Sequence, residues 1–212
     1  MPMLDCTSMP GLSMSMAWLR LPGQSWVEAA ASFVGMWTLM TAAMMLPSLA
    51  PVLRRHRLRL GNAWLTLPVA AGYLLVWASA GLAIYPFGAC ITELILENRV
   101  IAGSVPLATG ASVLLAGLAQ FTRWKAKHLA CCRSQGADAG MSGWRHGVRH
   151  GLHCVSCCGN LMAAGLVMGV MNLPAMAAVT AAIVFERLCG NRAAHAVGLL
   201  ASAYGVLLIV HP

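Results

Sequence analysis

The chain has 212 residues, 59% of them hydrophobic and only 9% charged, with a formal net charge of +8 and a mean hydropathy of +0.72. So apolar a composition excludes a disordered chain and argues against a soluble domain, because several runs approach the ~20 residues that a bilayer span requires. The positive charge calls for no nucleic acid: the basic residues fall between the apolar runs, where they set topology.

Residues 1–25 read as an outward, methionine-rich leader. Nothing before Trp18 is Lys or Arg and no continuous apolar core is present, so no signal peptide is expected. The run Met9-Pro10-Gly11-Leu12-Ser13-Met14-Ser15-Met16 follows Met3 and Cys6. Thioethers stay neutral and metal-competent in an oxidising compartment where thiols do not, so Met9, Met14 and Met16 are candidate capture ligands for a soft cation. A partner-binding or unstructured leader is the other reading of this segment.

Residues 26–212 read as one all-α, polytopic transmembrane helical bundle. About six spans are predicted, at Ala29–Leu49, Ala63–Tyr85, Val100–Phe121, Gly151–Met171, Pro174–Phe185 and Ala194–Val210, the last two short. One helix from Gly151 to Phe185 would run roughly 50 Å against a ~30 Å hydrocarbon core, so Asn172-Leu173-Pro174 is predicted as a turn or break.

Segments 50–62 and 122–150, with the step at Arg187 and Arg192, hold twelve basic residues against two acidic ones; the opposite side holds two against four. The basic loops are therefore expected to be cytoplasmic and both termini outward. Trp26, Trp64, Tyr85 and Trp124 fall near span ends, where amphipathic rings anchor at headgroups. Small residues such as Ala70-Ala71-Gly72 and Ala163-Ala164-Gly165 allow close helix packing within the chain or in an oligomer. No phosphate-binding loop, dinucleotide fingerprint or hydrolase elbow is present.

The fourteen methionines cluster, five in Met1–Met16, four in Met36–Met45 and five in Met141–Met176. Met36, Met40 and Met44 fall within roughly 80° of helical arc, with Met45 on another face. Such stripes also serve as adaptable core packing. Around the third cluster, His150, His153, Cys154, Cys157 and Cys158 fall within an arc of roughly 140° over about two turns, with Met162 following. Thioether, thiolate and imidazole together are the ligand set of a soft metal, Cu(I) first.

Arg145 and Arg149 would favour thiolates there, and Cys131-Cys132 with His128 form a second candidate docking point. Most of the eight cysteines lie in spans or basic loops facing a reducing compartment, so free thiols or metal ligands are expected ahead of disulfides. Glu186 is expected to pair with Arg187 or snorkel, His195 to be a polar packing residue, and Glu93 and Glu97 to form a solvated face in an outer loop.

The run Met36-Trp37, Met40-Thr41-Ala42-Ala43-Met44-Met45-Leu46-Pro47 resembles a bacterial family of predicted metal-binding integral membrane proteins, domain of unknown function 2182. His150-Gly151, Cys154, Cys157-Cys158, Leu161-Met162, Gly169-Val170-Met171-Asn172, Met176 and Glu186 resemble its second signature, and Cys132-Arg133-Ser134 its intervening loop. The resemblance covers roughly Met9 to Arg187. Family members can carry an additional N-terminal span, which is not expected in this chain, and Gly159-Asn160 replaces a commoner bulky-aromatic step.

The resemblance implies a multi-pass protein of the bacterial inner membrane, with Met40, Met44, Met45, His150, Cys154, Cys157, Cys158 and Met162 as candidate ligands and delivery of copper to a copper enzyme as the role. Joined to the residues themselves, it gives the expectation of a non-catalytic Cu(I)-binding protein whose partners are the lipid bilayer and a copper-enzyme client or copper chaperone. The competing readings are a membrane thiol-disulfide oxidoreductase using Cys154 and Cys157, a haem-binding subunit using His150 or His195, and a cofactor-free assembly subunit.

Overall fold

The computed structural model describes residues 18, 23–60, 63–134, 142–169 and 172–211, and these are helical with no strand among them. Seven α-helices follow in order: α1 Trp26–Leu60, α2 Leu67–Glu97, α3 Arg99–Ala119, α4 Arg123–Ser134, α5 Gly143–Met168, α6 Leu173–Cys189 and α7 Asn191–Val210, with a 3-10 turn at Ala63–Thr66 leading into α2. A helix satisfies its backbone polar groups within the segment, which is what so apolar a chain needs. Stretches in α1, α2, α3, α5 and α7 are long and apolar enough to cross a membrane. The 17 residues of α6 rise only about 26 Å, short of a ~30 Å core. Met9, Met14, Met16 and Met171 lie outside the described residues.

Several expected boundaries shift. The first helix continues through Pro47 and Pro51 to Leu60, so the arginine-rich segment expected as loop is helical as far as Leu60. Prolines four apart share one helix face, which leaves the hydrogen-bond ladder on the other face intact, and arginine is itself a good helix former. Helix α2 runs on to Glu97, placing Glu93 and Glu97, both exposed, on a helix rather than in a loop.

Tyr85 therefore lies inside α2 and is buried rather than near a helix end, whereas Trp26, Trp64 and Trp124 are exposed. Helix α5 starts about two turns before Gly151. The predicted break is present: α5 ends at Gly169 with φ 113°, and the Asn172 side chain caps α6 by accepting from the Ala175 amide at 3.1 Å.

Glycine contacts set the helix directions. The Trp37 ring of α1 lies over Gly81 of α2, where a Cβ would collide with it. That opening lets the Trp37 indole N–H donate to the Trp77 carbonyl at 2.9 Å. Phe33 meets Tyr85 with ring centroids 5.2 Å apart, so α1 and α2 are antiparallel. Gly147 of α5 abuts Val69 and Gly151 abuts Val76, making α2 and α5 parallel.

Gly110 and Gly117 of α3 meet Gly205 and Gly198 of α7 respectively, an antiparallel seam between backbones. Gly165 faces Val179 and Met176, while Arg187 reaches back to Cys154, so α6 descends against α5. The basic ends of α1, α5 and α6 thus gather with α4 at one end of the bundle.

Candidate soft-metal site

The site is built where α4 and the end of α6 close over α5. In α4, Lys125, Leu129 and Cys132 share one face and all are buried, as positions i, i+4 and i+7 of a helix must be when one side packs. The Lys125 ammonium forms an ion pair with Glu186 Oε2 at 2.7 Å and donates to the Cys157 carbonyl at 2.6 Å. A cation this deep requires such partners. Lys125 thereby ties α4 to both α5 and α6. Glu186 pairs with Lys125, not with the adjacent Arg187 that the sequence suggested.

Freed of that carboxylate, the Arg187 guanidinium donates to Cys154 Sγ at 2.8 Å and lies 3.9 Å from Cys158 Sγ. The Tyr73 hydroxyl is 3.1 Å from Cys154 Sγ, and its ring stacks on His150 at 5.5 Å. Cys154, Cys157, Cys158 and His150 are essentially without solvent exposure. On the α4 side, the Cys132 and Cys157 thiols share a hydrogen bond. That contact, against the opposing effect of burial and with help from the Arg187 and Lys125 charges, holds the Cys132 thiol below the usual cysteine range. The seven described cysteines are free thiols.

Met44, Met45, Met162 and Met176 are buried in one continuous cluster with Cys132, Cys154, Cys157 and Cys158, and Met36, Met40 and Met168 pack half-buried against it. The first and fourth predicted spans therefore contribute to the same interior, although α1 packs chiefly on α2 and secondarily on α6. His153 departs from the expected set. At the edge of the α5 arc it turns toward α4, with its Nδ1 3.4 Å from His128 Nδ1 and its Nε2 3.8 Å from Cys131 Sγ. His195 is exposed and stacks on Phe121 at 5.5 Å.

Sequence reasoning missed Lys125, Tyr73 and Arg187 as parts of this site. The first was legible in the Lys125-Leu129-Cys132 face; Tyr73 and Arg187 depend on which helices meet. Among the described residues, no group of three or more His, Cys, Asp or Glu side chains stands arranged to hold an ion. What the arrangement offers is soft donors in pairs, beside one guanidinium whose charge no carboxylate in the cluster takes up.

A family model described as PpoB2, copper chaperone, matches residues 34–208, whereas no curated protein and no solved structure matches. The matched stretch runs from α1 nearly to the end of α7 and takes in every residue of the thiol cluster. The chain therefore belongs to the PpoB2 copper chaperone family.

Proposed function

We propose that this protein is a multi-pass component of the bacterial inner membrane that binds Cu(I) through Cys154, Cys157, Cys158 and the surrounding methionines and passes it to a copper enzyme. One observation carries the reading: three buried thiols on one helix face are in contact with Tyr73, Cys132 and Arg187 inside a methionine-lined cluster. Two thiolates around Cu(I) leave a net negative charge, which Arg187 offsets where water cannot. The Lys125–Glu186 pair is neutral and leaves that balance undisturbed.

Paired soft donors suit a cargo ion better than a closed cage, because exchange between two-coordinate sites avoids a deep trap. The alternating helix directions support six passes with the basic end in the cytoplasm and both termini outside, α6 completing a thinner crossing. Met9, Met14 and Met16 then form an outer capture segment, and Met36, Met40, Met44, Met45 and Met162 line the way between. His150 supports Tyr73 by stacking; His153 belongs with His128 and Cys131.

Elemental analysis of protein purified anaerobically in detergent tests this reading, with the Cys154→Ser/Cys157→Ser/Cys158→Ser variant beside it. Stoichiometric copper that is lost in the folded variant is the expected outcome; unchanged copper refutes the assignment. A second reading, thiol-disulfide exchange, draws on the Cys132 contact with Cys157. A disulfide between them that persists on thiol trapping in intact cells would select it.

A further inference from the structure

Beside the thiol cluster a cleft of about 300 Å³ opens between α1, α4 and α6. Pro47 and Pro51 of α1 form one wall, and Arg55, Arg133 and Arg187 bring three guanidinium groups to it, with Cys132 among them. No acidic side chain lines it among the described residues. Glu186, next to Arg187, is taken up by Lys125 at 2.7 Å. Arg133 donates to the Leu188 carbonyl at 3.4 Å, which fixes it at the end of α6. Cys132 in turn contacts Cys157, so the cleft leads through one thiol to the interior set.

A route for a bare cation would not be walled by three cations. We infer that the cleft receives Cu(I) as an anionic complex with a small thiol that bears carboxylates, its carboxylates held by Arg55 and Arg133 while its copper meets Cys132. This inference rests on the copper reading above and names the carrier from which the same site is loaded. Guanidinium groups pair with carboxylates through two parallel hydrogen bonds, and a cationic mouth concentrates an anionic carrier while repelling cationic ones.

Transfer is ligand exchange with copper remaining Cu(I). The Cys132 sulfur bonds copper as one carrier sulfur leaves, and the Cys132 proton goes to that departing thiolate. Cys157 then displaces the second carrier thiolate in the same way. No electron changes hands, and Arg187 stands beside the thiols that accept the ion next.

The test uses the full chain in neutral-lipid nanodiscs under anaerobic conditions, loaded from Cu(I)–glutathione or from the cationic Cu(I)–cysteamine complex. In the Arg55→Gln/Arg133→Gln variant, half-saturation by Cu(I)–glutathione should rise about tenfold, with final copper stoichiometry and loading from cysteamine preserved. S-methylglutathione, which keeps the carboxylates but lacks the thiol, should compete with loading of the wild type. Equal loss with both carriers, no change with either, or no competition would overturn the inference while leaving the copper site standing. The same follows if the wild type's preference for glutathione vanishes in discs containing phosphatidylglycerol, since the arginines would then serve lipid headgroups. A wild type that takes up copper from neither carrier would instead remove the copper reading itself.

Discussion

Replacing Lys125 with Met keeps the aliphatic stem and removes the charge. In the native protein its ammonium lies 2.7 Å from Glu186 Oε2, both side chains almost wholly buried at 3% and 1% exposure. At that separation the attraction is roughly 6 kcal/mol with an effective dielectric constant of 20, much of it offset by desolvation. Removing one partner strands the other charge, a loss of about 3–5 kcal/mol. For a chain of this length each kcal/mol lowers Tm by about 2–4 °C, so Lys125→Met should unfold roughly 6–20 °C earlier. Far-UV circular dichroism of detergent-purified protein at a fixed scan rate reads this. If the orphaned carboxylate is the cause, adding Glu186→Gln should recover much of the loss, by about 2 kcal/mol. A single variant within about 2 °C of wild type, or a double variant less stable than Lys125→Met, would refute the argument.

Arg187→Gln should release copper to a Cu(I) chelator about 10–100-fold more readily, with Arg187→Lys intermediate; equal affinities would remove Arg187 from the site. Met44→Leu/Met45→Leu conserves volume, so stability should change by less than about 1.5 kcal/mol while copper per chain falls; unchanged copper would leave these residues as packing alone. His153→Ala should leave copper content near the wild-type value, because its ring faces His128 and Cys131, and a loss equal to that of Cys157→Ser would contradict this placement. Gly117→Leu should cost about 1–3 kcal/mol by overpacking, since a Cβ there would lie 2.6 Å from the Ser202 amide; unaltered thermal unfolding would count against the close α3–α7 seam.

Hydropathy alone placed most of the helices, because long apolar runs admit few other structures, and the Gly169–Pro174 break followed from length. The extension of α1 was hidden, since Pro47, Pro51 and four arginines look like an ending unless the spacing of the prolines is considered. The thiols were legible as a group on one face of α5, but a helical arc states only what shares a side, not what covers it. Lys125 read as one more loop charge, yet its burial decides which partner Glu186 takes and frees Arg187 for sulfur. The neighbours of His153 were hidden for the same reason: its arc position borders the thiols, and α4 packing there draws it to His128. Tyr85 illustrates the reverse case, an amphipathic residue that looked terminal only because its helix was cut short.

The glycine seam between α3 and α7 orders the protein's biosynthesis. Residues 99–119 leave the ribosome long before residues 191–210, so α3 must wait with Gly110 and Gly117 uncovered until the segment that fills them is made. The proposed copper site draws on residues 125–187 and on α1 and α2, all synthesised before that seam can form. Nascent chains halted after Cys189 would therefore carry every described thiol and methionine of the site on a scaffold still open along one side.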